Sequence, residues 1–117
     1  MTTPTTHSVI GRLSELSRLL DAATDEIARL DEEAVRAKQT HEVAYAEAFL
    51  TAEGSIDVRK QTATLRVREV KLARELAEQK VRACQERIRT LRSQLEVGRS
   101  LNAAVRTEWT AAAVGQP

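Results

Sequence analysis

The 117-residue sequence is poor in aromatic side chains and in residues that interrupt helices. It has one Tyr, one Phe and one Trp, together with four glycines and two prolines. A globular core normally contains more aromatic rings, whereas 42% hydrophobic and 30% charged residues is a composition typical of coiled coils. The composition therefore predicts one domain whose burial comes from a long seam of small and aliphatic side chains.

Other absences narrow the function classes. Cys84 is the only cysteine, which excludes an intrachain disulfide and a cysteine-based zinc motif and favours a reducing compartment. The sequence has no run of about 18 uncharged apolar residues, and its N-terminal segment lacks the basic and apolar regions of a secretion signal. We therefore expect a cytoplasmic protein that does not cross a membrane.

The sequence offers little material for catalysis. Neither His7 nor His41 has an acidic residue three positions before it, as carboxylate metal sites in helical bundles require. No glycine-rich phosphate loop or calcium loop is present, and no nucleophile has a credible base beside it. The sequence predicts no enzymatic activity, no metal and no cofactor.

Two segments carry the alternating three- and four-residue spacing of a coiled-coil seam. In the first segment the seam positions are Leu13, Leu16, Leu20, Ala23, Ile27, Leu30, Ala34, Ala37, His41, Ala44 and Ala48. In the second they are Val67, Val70, Arg74, Ala77, Val81, Cys84, Ile88, Leu91, Leu95, Gly98, Asn102, Val105 and Trp109. Each segment is therefore predicted to be one helix with one apolar stripe.

A turn is predicted at Gly54-Ser55, because glycine can end a helix in the left-handed conformation and serine can cap the next helix. The predicted fold is thus all-α, a long antiparallel helical hairpin within residues 8–114. Its helices are expected at about 8–52 and 56–113, with a disordered segment 1–7 and a frayed segment 115–117. Gly98 is interpreted as a weak point inside the second helix.

An antiparallel pairing about this turn makes facing residue numbers sum to 107 or 108. It places Leu13 opposite Leu95 and His41 opposite Val67. Arg74 would face Ala34 and extend to Asp31 or Glu33. The same pairing leaves residues 99–114 without a counterpart in the first helix.

The charge is unevenly distributed: residues 1–54 carry −5 and residues 55–117 carry +6, counting Lys, Arg, Asp and Glu. Attraction between two helices of opposite charge would explain this pattern without any outside partner. The functional alternative is a basic helix that contacts the phosphates of nucleic acid without base stacking. Its candidate residues are Arg66, Arg68, Lys80, Arg82, Arg87, Arg89, Arg92 and Arg99.

Apolar residues outside the seam predict self-association, most simply a hairpin dimer that forms a four-helix bundle. The candidate interface residues are Leu65, Leu72 and Leu76, with Leu101, Val105 and Trp109 near the C-terminus. The C-terminal group could pack on a symmetry mate or on Val9 and Ile10. Alternatively, it could dock a protein partner through Trp109, since tryptophan is enriched in binding hot spots.

The segments 48–55 (AFLTAEGS), Arg59-Lys60 and 95–101 (LEVGRSL) resemble a group of small coiled-coil proteins of phages and prophages of Gram-positive bacteria, over most of residues 40–106. These proteins are often encoded near replication and recombination genes. The architecture is also similar to that of helical-hairpin recombination mediators of T-even phages, which oligomerise and bind single-stranded DNA. The resemblance implies a homo-oligomer that contacts single-stranded DNA or a recombination or replication protein, whereas a protein-only adaptor or inhibitor is the alternative.

A further comparison is with the small helical-hairpin secretion substrates of actinobacteria, which have a similar length. Those proteins carry Trp-x-Gly at the turn, whereas this chain has Glu53-Gly54 with no tryptophan nearby. Their C-terminal tyrosine-containing export signal is also missing, so the sequence departs from that class at both diagnostic places.

Overall fold

The computed structural model describes residues 5–114, which form an all-α helical hairpin as predicted. The helices are α1 (Thr6–Thr51), α2 (Ile56–Arg66) and α3 (Arg68–Val114). His7, expected in a disordered segment, lies in the first turn of α1. The remainder of the expected terminal disorder, in residues 1–4 and 115–117, lies outside the described residues.

The start of α1 is fixed by reciprocal hydrogen bonds between Thr5 and Ser8. The backbone N–H of Ser8 donates to Thr5 Oγ1 at 3.2 Å, and the backbone N–H of Thr5 donates to Ser8 Oγ at 3.0 Å. This is the arrangement of a capping box with serine in the third position. It satisfies one of the backbone donors that a helix N-terminus leaves unpaired, so α1 begins earlier than the apolar pattern indicates.

The turn lies where the sequence predicts it. Gly54 has a φ of 108°, in the left-handed region that disfavours residues with a Cβ atom. Ser55 caps α2, because its Oγ accepts a hydrogen bond from the N–H of Val58 at 3.3 Å. Asp57 in the first turn of α2 adds a favourable negative charge at that helix end.

The second arm of the hairpin is two helices rather than the single helix predicted. The break is Val67, whose φ of −103° and ψ of 11° depart from helical values. The N–H of Val67 still donates to the Ala63 carbonyl at 3.1 Å, and the N–H of Lys71 donates to the Val67 carbonyl at 2.9 Å. The interruption therefore spans one residue, and the seam keeps its phase across it because Ala63 and Val67 are both buried.

The chain divides into two compact units, described separately below. Unit 1 comprises residues 5–25 and 86–114, and unit 2 comprises residues 26–85. The core of unit 1 is formed by Leu16, Ala23, Leu91 and Leu95, with Leu13, Leu19, Leu20 and Ile88 packed against it. The core of unit 2 near the turn is formed by Ala48, Ala63 and Val67, with Ala44, Tyr45, Phe49 and Val70 around it. Each unit is thus an antiparallel helix pair.

The predicted seam is confirmed with one exception. All of its positions in α1 are buried or half-buried, and so are those in the second arm except Trp109. The seam also extends one step further than predicted, to Val9, Ala52 and Ala63, all of which are buried. The spacing rule therefore identified the buried face correctly, although it was not followed to the ends of the helices.

The pairing across the seam in unit 1 differs from the prediction. Leu13 packs on the core that contains Leu95, but it also reaches Gly98, one turn further along α3. Facing numbers at this contact sum to 111 rather than 108. Each residue of α1 in this unit therefore faces a residue of α3 that is three positions closer to the C-terminus than predicted. Val105 is accordingly buried in unit 1. The prediction that all of residues 99–114 lack a counterpart in α1 is wrong.

Candidate nucleic-acid and protein interfaces

Four arginines of α3 in unit 1 share one side of the helix. Residues 89, 92, 99 and 106 follow one another at intervals of three and seven, which are close to whole numbers of helical turns. All four are exposed, and they extend over about 25 Å of helix axis. We call this set, Arg89, Arg92, Arg99 and Arg106, the arginine face.

The charges of the arginine face are mostly not neutralised within the chain. Arg89 forms an ion pair with Glu86 on the same helix. Within residues 5–114, no carboxylate lies within ion-pair distance of Arg92, Arg99 or Arg106. Heptad position places the uncharged Ser17 of α1 on the same side of the helix pair, and Glu96 on that side of α3 between Arg92 and Arg99. With three unpaired arginines to this one carboxylate, the face keeps an excess of positive charge. The face can therefore attract an anion.

The other predicted nucleic-acid candidates do not join this face. Arg87, in unit 1, lies on the opposite flank of the seam by heptad position, and Arg66 and Lys80 belong to unit 2. Arg82 is in unit 2, where its guanidinium donates to Gln79 Oε1 at 2.9 Å, and Arg68 is also in unit 2. Arg106 was missed as a candidate, although its position seven residues after Arg99 is the signal that identifies it.

Ion pairs within each unit run along a helix. Examples are Arg29–Glu33 at 2.7 Å and Arg36–Glu32 at 2.9 Å on α1. Such i, i+4 pairs are exposed and contribute only about 0.3–0.5 kcal/mol each. In these pairs, acidic side chains of α1 bind arginines of the same helix. This part of the outer surface of α1 in unit 2 is therefore charged and solvated.

Three of the predicted interface leucines lie in unit 2 and are exposed. Leu65, Leu72 and Leu76 are 68%, 52% and 55% exposed, and their spacing of seven and four places them on one side of the second arm, away from the seam. We call Leu65, Leu72 and Leu76 the leucine face. Large aliphatic side chains at this spacing are typical of a surface that another helix covers.

The three predicted interface residues of unit 1 differ in exposure. Val105 is buried, Leu101 is 42% exposed and Trp109 is 72% exposed. A spacing of four residues keeps these side chains within about 80° of one another around α3, so their different exposures reflect how far α1 covers each position. Trp109 also falls beyond the part of α3 that residues of α1 cover, which explains why the last seam position is not buried.

A shallow apolar groove of about 570 Å³ runs along unit 1. Leu16, Val97, Gly98 and Leu101 provide its apolar lining, and Arg12 and Arg89 are among its polar residues. The missing side chain at Gly98 contributes to the depression. The sequence contained no signal for this groove beyond the glycine itself.

A polar cluster interrupts the seam of unit 2. The Arg74 guanidinium lies 3.1 Å from His41 Nδ1 through Nη1 and 2.8 Å from Glu78 Oε1 through Nε. The predicted contact of Arg74 with Asp31 or Glu33 is therefore wrong, because its guanidinium is held by Glu78 on its own helix and by His41. Lys71 and Glu75 border the same site.

Comparisons with known proteins give no further guidance: no protein-family model matches the chain, and no curated protein or solved structure matches it significantly. None of the helices within residues 5–114 combines the length and the apolar character that crossing a membrane requires. In the same residues, no group of three or more His, Cys, Asp or Glu side chains is placed to hold a metal ion.

Proposed function

We propose that this protein is a non-enzymatic, oligomeric coiled-coil accessory protein that binds single-stranded DNA through the arginine face of α3. The observation that carries the proposal is the row of four exposed arginines, three of them without a carboxylate partner among the described residues. The resemblance of the sequence to phage and prophage hairpin proteins supports a role beside recombination or replication proteins in the cytoplasm.

The chemistry of the face defines the mode of binding. Guanidinium groups form paired hydrogen bonds with phosphate oxygens. The face contains no aromatic side chain on which bases could stack. Binding would therefore depend on the phosphate backbone, show little sequence preference and weaken steeply with salt, since each neutralised phosphate releases counterions.

The test is the fluorescence anisotropy of a labelled oligothymidylate titrated with the protein at several salt concentrations. The double variant Arg92→Glu/Arg99→Glu should weaken binding strongly and reduce the slope of log affinity against log salt by about 0.7 for each lost contact. The matched control is Arg12→Glu/Arg18→Glu, which changes the net charge of unit 1 equally on the other helix. Equal losses in both variants, or no binding by the parent protein at low salt, would refute the proposal.

A protein-only adaptor or inhibitor is the second candidate function. The observation that favours it is the 72% exposure of Trp109 on the terminal part of α3. Because Trp109 is the only tryptophan, its emission would shift to the blue when a partner covers it. If Trp109→Ala leaves both the oligomeric mass and the recovery of partners unchanged, the C-terminal end of α3 is not an interface.

A further inference from the structure

The leucine face belongs to a second heptad pattern on the outer side of the second arm. Between and after its leucines, the same spacing continues through Glu69, Gln79 and Ala83. The outer surface of α1 in unit 2 differs, because Arg29 and Arg36 form ion pairs with neighbouring glutamates there. Within unit 2, α1 also exposes Val35, Val43 and Leu50, but its ion pairs interrupt that surface, whereas the leucines of the second arm follow one regular spacing.

The leucine face leaves three large aliphatic side chains in water, because Leu65, Leu72 and Leu76 are 68%, 52% and 55% exposed. Removing apolar surface from water is favourable. A partner that covers this face therefore adds apolar burial that the helices of unit 2 do not provide by themselves.

The charges beside the leucine face distinguish between two ways of pairing it with itself. An in-register parallel pair would place Glu69 of one copy against Glu69 of the other in the same layer, which brings like charges together. An antiparallel pair centred between Glu69 and Leu72 places each Glu69 beside Leu72 of the other copy, so the two Glu69 residues lie in neighbouring layers, about 4.5 Å apart along the axis, instead of in the same layer. It places Leu65 beside Leu76 of the other copy, and Arg68 beside Glu75 of the other copy, twice by symmetry.

Both Arg68 and Glu75 are available to form an ion pair with another copy. Within residues 5–114, no carboxylate is in ion-pair distance of Arg68, and Glu75 has only a 4.0 Å contact with Lys71. We propose that a second copy of this chain covers the leucine face, with the two second arms antiparallel and two Arg68–Glu75 pairs flanking the contact. This deepens the self-association in the proposed function, and it does not require that DNA be bound.

The first experiment measures mass by light scattering. The parent protein should be a dimer or a multiple of it, and Leu72→Gln/Leu76→Gln should halve the mass while the helical circular dichroism persists. Val35→Gln/Val43→Gln is the matched control, because those residues are exposed apolar residues on α1 of the same unit, at 63% and 44%. A monomeric parent, or equal dissociation in the control, overturns the proposal.

The second experiment determines orientation by oxidative cross-linking in a Cys84→Ala background. Leu65→Cys mixed with Leu76→Cys should cross-link, whereas each variant alone should not, since self-pairs would lie about 16 Å apart along the axis. Cross-linking of Leu65→Cys with itself would instead demonstrate a parallel pair and overturn the geometry. As an independent check, Arg68→Glu should weaken the dimer, and the charge swap Arg68→Glu/Glu75→Arg should restore it. If Arg68→Glu dimerises as well as the parent protein, the proposed Arg68–Glu75 pair is refuted.

These outcomes are separable from the proposed DNA binding. A monomer that still binds oligothymidylate refutes the dimer and leaves DNA binding intact. A dimer that binds no oligothymidylate at low salt supports the leucine face and refutes the proposed function.

Discussion

Leu13 of α1 packs directly against Gly98 of α3, so closely that a Cβ atom at residue 98 would lie 2.6 Å from Leu13 Cδ2 and 3.4 Å from its Cγ. The side chain of Leu13 is also held by the core of unit 1, which limits its freedom to move away. Gly98 therefore permits a close approach of the two helices, and its interpretation as a mere weak point of the helix is incomplete.

We expect Gly98→Ala to destabilise the protein, although alanine favours helix by about 1 kcal/mol over glycine. The added methyl group displaces Leu13, and such overpacking typically costs about 1–3 kcal/mol. Gly11→Ala is the control, because that glycine is also inside a helix but has no atom within 4 Å of the added Cβ. Thermal unfolding should show a lower Tm for Gly98→Ala and a higher Tm for Gly11→Ala.

A double-mutant cycle tests the cause. In a Leu13→Ala background the added methyl group has room, so Gly98→Ala should become neutral or stabilising. If Gly98→Ala raises the Tm in the parent protein as much as Gly11→Ala does, Leu13 does not restrict residue 98.

The sequence was sufficient to locate the seam and the turn because both depend on local rules. Alternating three- and four-residue spacing defines one face of a helix, and Gly54-Ser55 combines a left-handed position with an N-cap. The register between the two helices could not be predicted from such local rules. Leucines and alanines occur throughout both seams, so registers that differ by half a heptad bury similar residues, and only a contact such as Leu13–Gly98 separates them.

The site residues show the same limit. Arg89, Arg92 and Arg99 were identified from charge alone, but charge could not separate them from Arg87 on the other flank of the same unit. That distinction requires heptad positions referred to the observed seam. The contact of Arg74 with His41 could not be predicted, because a long flexible side chain selects its partner in three dimensions.

Arg59 connects the two arms beside the turn. Its Nε and Nη2 atoms donate to the Phe49 carbonyl at 3.3 and 3.2 Å, and its guanidinium carbon lies 4.6 Å from the centre of the Phe49 ring. The Phe49 carbonyl, near the C-terminus of α1, also accepts a 3.4 Å hydrogen bond from the Ala52 N–H, so Arg59 adds charged donors to a carbonyl at the helix end. Arg59→Met should lower the unfolding free energy by about 1–2 kcal/mol.

Two variants give the Arg59 prediction its controls. Arg59→Lys should recover only part of the loss, since an ammonium cannot reproduce the planar group whose two N–H donors converge on one carbonyl oxygen while its face lies over the ring. Lys60→Met, an exposed neighbour with the same loss of charge, should change stability by less than about 0.5 kcal/mol. Equal effects at residues 59 and 60 in urea unfolding would contradict a specific role for Arg59.

Asn102 places a polar side chain in the seam of unit 1. Its Oδ1 atom is buried and accepts no hydrogen bond from any described residue. A buried acceptor without a partner costs about 1–3 kcal/mol, so Asn102→Leu should raise the Tm. Asn102→Asp should lower it, because a carboxylate is harder still to bury. An unchanged or lower Tm for Asn102→Leu would indicate that the amide makes a favourable interaction at this position.

The contact between Arg74 and His41 determines the tautomer of the imidazole. A guanidinium group only donates hydrogen bonds, so His41 Nδ1 must accept from Arg74 and the ring proton must lie on Nε2. Nitrogen NMR at alkaline pH should show His41 locked in this form. Arg74→Met should shift the Nδ1 resonance of His41 and leave that of the exposed His7 unchanged; insensitivity of His41 to this substitution would rule out the hydrogen bond.

The division of the chain into two units has a consequence for the order of folding. The contacts of unit 2 nearest the turn join residues close in sequence, such as Phe49 and Arg59, whereas Leu13 and Gly98 in unit 1 are separated by most of the chain. Closing a short loop costs less entropy than closing a long one. The hairpin should therefore close from Gly54 outward. During synthesis, residues 5–25 have no partner in unit 1 until the ribosome has made residues 86–114.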